Sequence, residues 1–281
     1  MKELRIIRII LAAIFFIGAV LYFSIGISIH RALEFVETVQ IVPSMIANCL
    51  GVTIAWFVVT LLLGRVYCST VCPVGTFQDI FRHGRKLIRP LNKPFRYRPG
   101  SKMRFYILGA YIFCIIAGVA AVPFWIEPWS IIRNIAGDIH PSAEKIEWVR
   151  LGVGMTTGII AGVVSAVLLI IVGLVTGRGF CTDICPLGTA LGCFSNYTLY
   201  HIEIDPDRCI NCMKCEDVCR SQCIKVVSRI VDNSRCVRCF DCGYVCPNDA
   251  IRLQINRNRR VTPLMNPTTG LKAENFQTEE K

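Results

Sequence analysis

The sequence is poor in charged residues and in histidine for a chain of its length. Of its 281 residues only 18% are charged and four are histidines, whereas 53% are hydrophobic. This balance excludes an ordinary soluble domain and favours a membrane protein. All four histidines lie outside the long apolar runs, which argues against a haem held between membrane helices. They are His30, His83, His140 and His201.

Signals for export, nucleotide binding and hydrolysis are also missing. The basic N-terminus leads into an uncharged run over residues 9–29. That run is too long for the core of a signal peptide and ends without an A-x-A-like site, so we expect no cleavable leader. No twin-arginine leader is present either. The sequence contains no nucleotide-binding loop or catalytic triad, which favours electron relay over bond-making chemistry.

Four uncharged runs are long enough to cross the ~30 Å hydrocarbon layer as helices, over residues 9–29, 41–64, 105–126 and 151–177. The sequence therefore predicts an α-helical membrane domain over residues 1–196, with four transmembrane helices in two tandem hairpins. Basic residues concentrate between the second and third runs. The positive-inside rule places that loop and both termini in the cytoplasm. The basic residues of the loop are Arg82, Arg85, Lys86, Arg89, Lys93, Arg96, Arg98, Lys102 and Arg104.

The net charge of +11 raises the question of nucleic acid as a partner. Because the positive charge is concentrated in that loop, we interpret it as a topology signal and expect contact with anionic lipid. Glu127, in the segment EPWSIIR, is expected to be a solvated loop acid rather than a proton acceptor for quinol.

Cysteine is abundant, with 16 residues, and its spacing is that of metal ligands. The segments CINCMKCEDVC and CVRCFDCGYVC share the pattern C-x-x-C-x-x-C-x-x-x-C. In this pattern three cysteines hold one [4Fe–4S] cluster and the fourth reaches a neighbouring cluster. Zinc knuckles would instead show C-x-x-C pairs or histidines. One predicted ligand set is Cys209, Cys212, Cys215 and Cys246, and the other is Cys236, Cys239, Cys242 and Cys219.

A second cysteine pattern is a repeat: GRVYCSTVCPVGT at 64–76 and GRGFCTDICPLGT at 177–189. In each copy the two cysteines of C-x-x-x-C-P face the same way on a helix. Four thiolates would suit one more iron–sulfur cluster or a zinc ion. A redox dithiol and plain packing at helix ends are the alternatives. The paired cysteines are Cys68 with Cys72 and Cys181 with Cys185; Cys49, Cys114, Cys193 and Cys223 fall outside both patterns and are expected to be structural.

The last third resembles bacterial two-cluster ferredoxin domains, on the two four-cysteine segments. With the apolar runs and both C-x-x-x-C-P motifs, residues 1–256 resemble the NapH-type membrane iron–sulfur proteins, an architecture shared by NosR and CcoG. The resemblance implies an α+β ferredoxin domain over residues 197–256. The segments HIEIDPDR and AIRLQIN are expected to form short strands before and after the cysteine segments. Residues 257–281 have no periodicity and are expected to form a flexible tail. The resemblance further implies quinol oxidation and electron supply to a periplasmic nitrate reductase. Arg220 follows Cys219 where the family usually has proline, which bears on the local turn and the cluster potential.

These patterns predict a membrane-anchored protein of the bacterial cytoplasmic membrane that exchanges electrons between the quinone pool and a redox partner. It would act as the electron-transfer subunit of a quinol dehydrogenase, within a multi-subunit complex or with a periplasmic or cytoplasmic partner. The expected cofactors are two [4Fe–4S] clusters, a third at the paired motifs, and an exchangeable quinone; nucleic acid is not an expected partner. The alternatives are a CcoG-like assembly factor that reduces a metal or thiol, and an anchor relaying electrons between proteins. Direction is open because cluster potentials span about −700 to +450 mV.

Overall fold

The computed structural model of the chain describes residues 1–24, 35–46, 50–84, 94–118, 126–137 and 155–255. The predicted tail over 257–281 lies outside these described residues, as do Cys49, His30, His140 and part of the basic loop. The predicted division of the chain at residues 196 and 256 stays a prediction.

The N-terminal part is helical. The helices are α1 Lys2–Ser24, α2 Ile41–Ile46, α3 Leu50–Leu63, α4 Tyr67–Thr70, α5 Pro73–Gly84, α6 Met103–Ile116, α7 Pro128–Gly137, α8 Met155–Thr176 and α9 Pro186–Ser195. Helix α1 packs against α5 and α7, and α8 also packs against these two helices. Helix α9 packs against α3 and α6. A single turn of π-helix, Phe180–Ile184, precedes α9.

The predicted four transmembrane helices in two hairpins are wrong. Among the described residues, only α1 contains a segment, Lys2–Phe23, that is long and apolar enough to cross a membrane. The other apolar helical segments, Leu50–Leu63, Met103–Ile116 and Gly162–Thr176, have between 10 and 17 residues. At a rise of 1.5 Å per residue, a helix of 14 residues such as α3 reaches only about 21 Å.

The end of α3 shows why an apolar run overestimates the length of a helix. The second predicted span, 41–64, separates into α2 and α3, and α3 ends at Leu63. Gly64 then adopts φ +80°, where glycine is favoured. The carbonyl of Leu63 accepts a hydrogen bond of 3.0 Å from Nε of Arg238, a residue far along the chain. Tertiary contacts therefore end the helix, and the apolar letters do not record them.

Residues 200–255 form a cysteine-rich unit, called here the C-terminal module. The two strands expected around the cysteine segments are confirmed: β1 and β4 pair antiparallel, with Ile202 opposite Leu253. A second small sheet pairs β2 with β3. The elements are β1 Tyr200–Ile204, α10 Lys214–Asp217, β2 Ile224–Lys225, β3 Ile230–Val231, α11 Asp241–Val245 and β4 Ile251–Ile255.

The C-terminal module packs directly against the helical part. Met1, at the start of α1, lies against Gly243, and Arg5 pairs with Asp241 at 2.9 Å. Two of the buried apolar clusters of the described residues contain cysteines: one lies among the helices and the π-turn, and the other lies inside the module. Cysteines make up part of both clusters. The fold therefore places the two cysteine patterns of the sequence in adjoining cores.

Candidate iron–sulfur sites

The first predicted ligand set lines one cavity at the surface of the C-terminal module, called here the outer cavity. It encloses about 340 Å³ of non-atom space, including the part open to solvent, and all four cysteines of the set line it. Cys212 is exposed, Cys209 and Cys246 are half-buried, and Cys215 is buried. The sequence-predicted residues are thus brought together; their ligation of a cluster stays a prediction.

The second set lines another cavity of about 340 Å³, called here the inner cavity. Cys219, Cys236 and Cys242 are buried and Cys239 is half-buried. Cys223 also lines this cavity, and its sulfur lies 3.5 Å from that of Cys219. Cys223, which is expected to be structural, is therefore in contact with a predicted ligand.

The two cysteine segments fold into loops with the same local backbone. Asn211 and Met213 flank Cys212 with φ of 54° and 62°, and Arg238 and Phe240 flank Cys239 with φ of 54° and 60°. Left-handed backbone at side chains other than glycine costs about 1–3 kcal/mol per residue and concentrates at functional sites. Alternating right- and left-handed residues turn successive N–H groups inward, a geometry found at iron–sulfur sites. The loops therefore suit an anionic cluster.

The cysteines of the repeat, called here the four-cysteine site, also come together. Cys68, Cys72, Cys181 and Cys185 are only 3–4% exposed and belong to one apolar cluster. Burial, and then the neighbouring thiols, raise the pKa of Cys72 well above its usual value. Burial likewise raises the pKa of Cys181 to about 12. The half-buried Cys239 of the inner cavity packs against the same apolar cluster.

An arginine from each copy of the repeat holds the other copy. Nη2 of Arg65 donates to the carbonyl of Cys181 at 2.6 Å, and Nη1 of Arg178 donates to the carbonyl of Cys68 at 2.7 Å. Both side chains are buried, at 1% and 0% exposure. The exchange is reciprocal, so the two motifs form a single site with approximate twofold symmetry.

The glycine that follows the C-P of each copy, Gly75 or Gly188, is required by close packing. A Cβ at Gly75 would lie 2.3 Å from the carbonyl oxygen of Cys68, and one at Gly188 would lie 2.2 Å from that of Cys181. Such distances are too short for any side chain. The arginine and the glycine of the repeat therefore have structural roles. The sequence shows only that both copies contain them.

Two buried donors at the four-cysteine site have no hydrogen-bond partner among the described residues. They are Nε of Arg65 and Nε2 of Gln78. Both side chains contact the thiols through their other polar atoms: Nη2 of Arg65 lies 4.0 Å from the sulfur of Cys68, and Oε1 of Gln78 accepts from the thiol of Cys181 at 3.2 Å. Buried donors without acceptors cost about 1–3 kcal/mol each. Thiolate and sulfide acceptors of a cluster would satisfy them, so the residues fit such a group.

Asp79 on α5 lies at the centre of a buried ion network that sequence reasoning missed. It pairs with Arg8 at 2.5 Å, with Arg178 at 2.6 Å, and with Arg220. Burial alone would raise the pKa of Asp79, but Arg178 and Arg220 outweigh it and hold that pKa well below its usual range. Arg220 also pairs with Asp241 at 2.6 Å. The arginine that replaces the family's proline therefore connects the C-terminal module to the helical part.

The expectation that Glu127 is a solvated loop acid is wrong. The side chain is only 4% exposed, and it accepts hydrogen bonds from the backbone N–H groups of Trp129 at 2.9 Å and Ser130 at 2.5 Å. These contacts cap the start of α7. Burial raises the pKa of Glu127 above its usual value. The buried acid therefore has a structural role at the start of α7.

Comparison with family models assigns iron–sulfur binding to both cysteine patterns. A model described as a 4Fe-4S binding domain matches residues 49–90 and 159–197, which contain the two copies of the repeat. Another model of the same description matches residues 202–225 of the C-terminal module. The chain therefore binds iron–sulfur clusters. No solved structure matches this chain.

Several curated proteins are similar to this chain. YccM of Escherichia coli K12, which carries an electron-transport name, is 27% identical over 64% of this chain and 48% of its own length. The methylamine utilization ferredoxin-type protein MauN of Methylorubrum extorquens is 29% identical over 56% and 47%. The ferredoxin-type protein NapH of Haemophilus influenzae is 24% identical over 60% and 52%. The matches thus span about half the length of these relatives. The repeat and the first four-cysteine segment match 4Fe–4S models, and the chain is similar to NapH-like ferredoxin-type proteins, which supports a role in iron–sulfur electron transfer.

Proposed function

We propose that the chain relays electrons through three [4Fe–4S] clusters in series, between the quinone pool and a redox partner, as the electron-transfer subunit of a quinol dehydrogenase. The proposal rests on one observation: the inner cavity contacts the apolar cluster that contains the four-cysteine site. Cys239 of the inner cavity packs against the apolar cluster that contains all four cysteines of the repeat. A cofactor at the four-cysteine site would therefore adjoin one at the inner cavity.

The proposed clusters follow the three groups of cysteines. The outer cavity would use Cys209, Cys212, Cys215 and Cys246, and the inner cavity would use Cys219, Cys236, Cys239 and Cys242. The four-cysteine site would use Cys68, Cys72, Cys181 and Cys185. Each cluster supplies one-electron redox chemistry over a wide range of potentials. The residues of the chain hold the clusters in order and exclude water from the two inner ones.

The four-cysteine site supports a cluster better than the alternatives. A dithiol that exchanges with a partner must be reachable, yet these four thiols are 3–4% exposed. Within the described residues, no three His, Cys, Asp or Glu side chains converge closely enough to hold a single metal ion. Zinc needs four ligands at about 2–2.3 Å from one ion, whereas a cluster bonds each thiolate to a separate iron.

The exposure of the cysteines supports an order for the relay. The outer cavity opens to solvent at Cys212, where a soluble partner would exchange electrons. The inner cavity lies between it and the four-cysteine site, which would face the quinone. α1 supports attachment to a membrane, and its N-terminal end contacts the C-terminal module at Gly243 and Asp241. Because Lys2, Arg5 and Arg8 lie at that end, we place it and the clusters on the cytoplasmic side.

Iron and sulfide analysis with electron paramagnetic resonance (EPR) tests the third cluster. We expect about twelve irons per chain in the wild type, and about four fewer in Cys68→Ser/Cys181→Ser. A matched control is Cys114→Ser/Cys193→Ser, which changes two cysteines outside the predicted ligand sets and should leave the iron count unchanged. About eight irons in both the wild type and the four-cysteine-site variant would contradict the third cluster.

Anaerobic mixing with quinols tests the quinone partner. We expect a quinol of suitable potential to reduce the clusters of the purified protein, or a quinone to oxidise them, with an EPR signal that changes accordingly. The Cys68→Ser/Cys181→Ser variant should lose this exchange while dithionite still reduces its remaining clusters. If no quinol and no quinone changes the redox state of the fully loaded wild type, the quinone assignment is wrong.

A further inference from the structure

The buried ion network extends beyond Asp79 to a second aspartate. Asp241 on α11 pairs with Arg220 at 2.6 Å, with Arg5 at 2.9 Å and with Arg82 at 3.5 Å. Arg220 is shared between Asp79 and Asp241, and it is only 3% exposed. Five arginines and two aspartates thus form one continuous group, called here the junction network. Its members are Arg5, Arg8, Asp79, Arg82, Arg178, Arg220 and Asp241.

The junction network connects the four-cysteine site to the chain segments that carry the inner-cavity cysteines. Arg220 directly follows Cys219, and Asp241 lies between Cys239 and Cys242 in the chain. Arg178 donates both to Asp79, at 2.9 Å, and to the carbonyl of Cys68, at 2.7 Å. The network therefore contacts the backbone of one cysteine group and the chain segments that carry the other.

The charge of the junction network is positive. Five arginines share two carboxylates, so the members of the network carry a net charge of +3. Burying such charge is costly unless an anion lies nearby. Cys239 as a thiolate would interact favourably with Arg82, Arg178 and Arg220. A cluster held by four thiolates supplies negative charge at that position.

We propose that Arg220 is a positioning residue whose charge, with the rest of the junction network, raises the reduction potential of the inner-cavity cluster. Reduction adds one negative charge to the cluster, so fixed positive charge nearby stabilises the reduced form. In a water-excluded region such interactions are stronger than in bulk water. Asp79 opposes this effect by neutralising part of the positive charge. The inference rests on the proposed cluster at Cys219, Cys236, Cys239 and Cys242.

Redox titration followed by EPR on the full-length protein tests the inference. Arg220→Gln removes a positive charge and should lower the potential of the inner-cavity cluster, by about tenfold in its reduction equilibrium, or ~59 mV for one electron. Asp79→Asn removes a negative charge and should raise the same potential. The cluster at the outer cavity should shift much less in both variants. Opposite shifts identify charge as the cause, since loosened packing would not reverse sign.

Two further variants keep the test decisive. Arg220→Lys retains the charge and should keep the wild-type potential even if it weakens packing. Arg96→Gln removes an arginine that is 59% exposed and pairs with Asp217 at 3.6 Å, and should leave the potential unchanged. Full iron content with unshifted potentials in Arg220→Gln and Asp79→Asn would overturn the inference and leave the proposed relay intact. A wild-type protein that contains no cluster at the inner cavity would instead overturn the proposed relay.

Discussion

Arg65 and Arg178 occupy the same position in the two copies of the repeat, and each holds the copy to which it does not belong. Their hydrogen bonds to the carbonyls of Cys181 and Cys68 are short and buried. Hydrogen bonds from charged donors contribute about 1.5–3 kcal/mol. The first cysteine of each motif is therefore fixed by the other half of the chain rather than by its own helix.

Replacing Arg65 with glutamine should disrupt the four-cysteine site selectively. We expect iron content to fall by about four atoms per chain, because the carbonyl of Cys181 loses its charged donor. EPR signals of the other two clusters should persist. Arg208→Gln is a suitable control, since Arg208 is half exposed and pairs only loosely with Asp205, at 3.6 Å. An unchanged iron count in Arg65→Gln would show that the reciprocal hydrogen bonds are dispensable.

Gly75→Ala should destabilise the fold by about 1–3 kcal/mol, because its new Cβ would overlap the carbonyl oxygen of Cys68. Gly51→Ala provides the control: Gly51 lies within α3, and a Cβ there meets nothing within 4 Å. That change should stabilise the helix by up to about 1 kcal/mol. Thermal unfolding of the two variants should shift in opposite directions. Equal shifts would mean that the close packing of the repeat tolerates a methyl group.

At this scale the sequence allowed the cysteines to be predicted but not their supporting residues. The register of the two four-cysteine segments predicted the groups that line both cavities. The arginine and the glycine that both copies of the repeat share were a usable signal, because the same residue at the same position of a repeat implies the same structural role. Asp79 has no counterpart in the second copy, where Gly192 stands. Its three partners come from distant segments, so local pattern could not reveal them.

Among the elements, α5 connects several segments of the chain through a single side chain. It begins at Pro73 directly after Cys72, and it carries Asp79 to the arginines of three other segments. Removing one partner of a buried ion pair typically costs about 3–5 kcal/mol. We therefore expect Asp79→Asn to lower the melting temperature clearly, with the arginines left in place.

The pH dependence of that loss follows from the depressed pKa of Asp79. A carboxyl whose folded pKa lies below its unfolded value of about 3.9 stabilises the fold fully above that value, and the contribution is lost as pH falls through the folded pKa. Between pH 5 and 8 the melting temperatures of wild type and Asp79→Asn should therefore differ by a constant amount. A difference that shrinks between pH 7 and 5 would contradict the assignment. The charged groups facing Asp79 are Arg8, Arg178 and Arg220.

Apolar runs predicted where helices form but not where they end. Helices occupy parts of all four runs, yet among the described residues only α1 contains a segment that is both long and apolar enough to cross a membrane. The limits of α3 depend on Gly64 and on Arg238 of the C-terminal module. The strands β1 and β4 were easier to predict, because a short alternation of apolar and polar residues is typical of a strand.

Across the whole molecule, the exposure of the cysteines decreases from the outer cavity to the four-cysteine site. Cys212 is exposed, Cys239 is half-buried, and Cys68 is 4% exposed. Attack by a chelator or oxidant requires access to the cluster or its ligands. The outer-cavity cluster should therefore be lost before the other two.

Timed treatment with ferricyanide and a chelator checks this order. We expect a first phase that removes about four irons together with the EPR signal of the outer-cavity cluster, and a slower phase for the rest. Ile210→Glu, at a position that is 62% exposed beside the outer cavity, should alter only the first phase. A single phase in which all clusters decay together would contradict the exposure gradient.

The reciprocal hydrogen bonds of Arg65 and Arg178 also constrain when the four-cysteine site can form. The two copies of the repeat are 113 residues apart, which a ribosome covers in roughly 6 to 23 seconds. During that interval Cys68 and Cys72 have emerged without Cys181 and Cys185, and Asp79 has emerged without Arg178 or Arg220. The cluster proposed for this site can therefore form only after synthesis of the second copy, and until then the thiols of the first copy have no partners from the second.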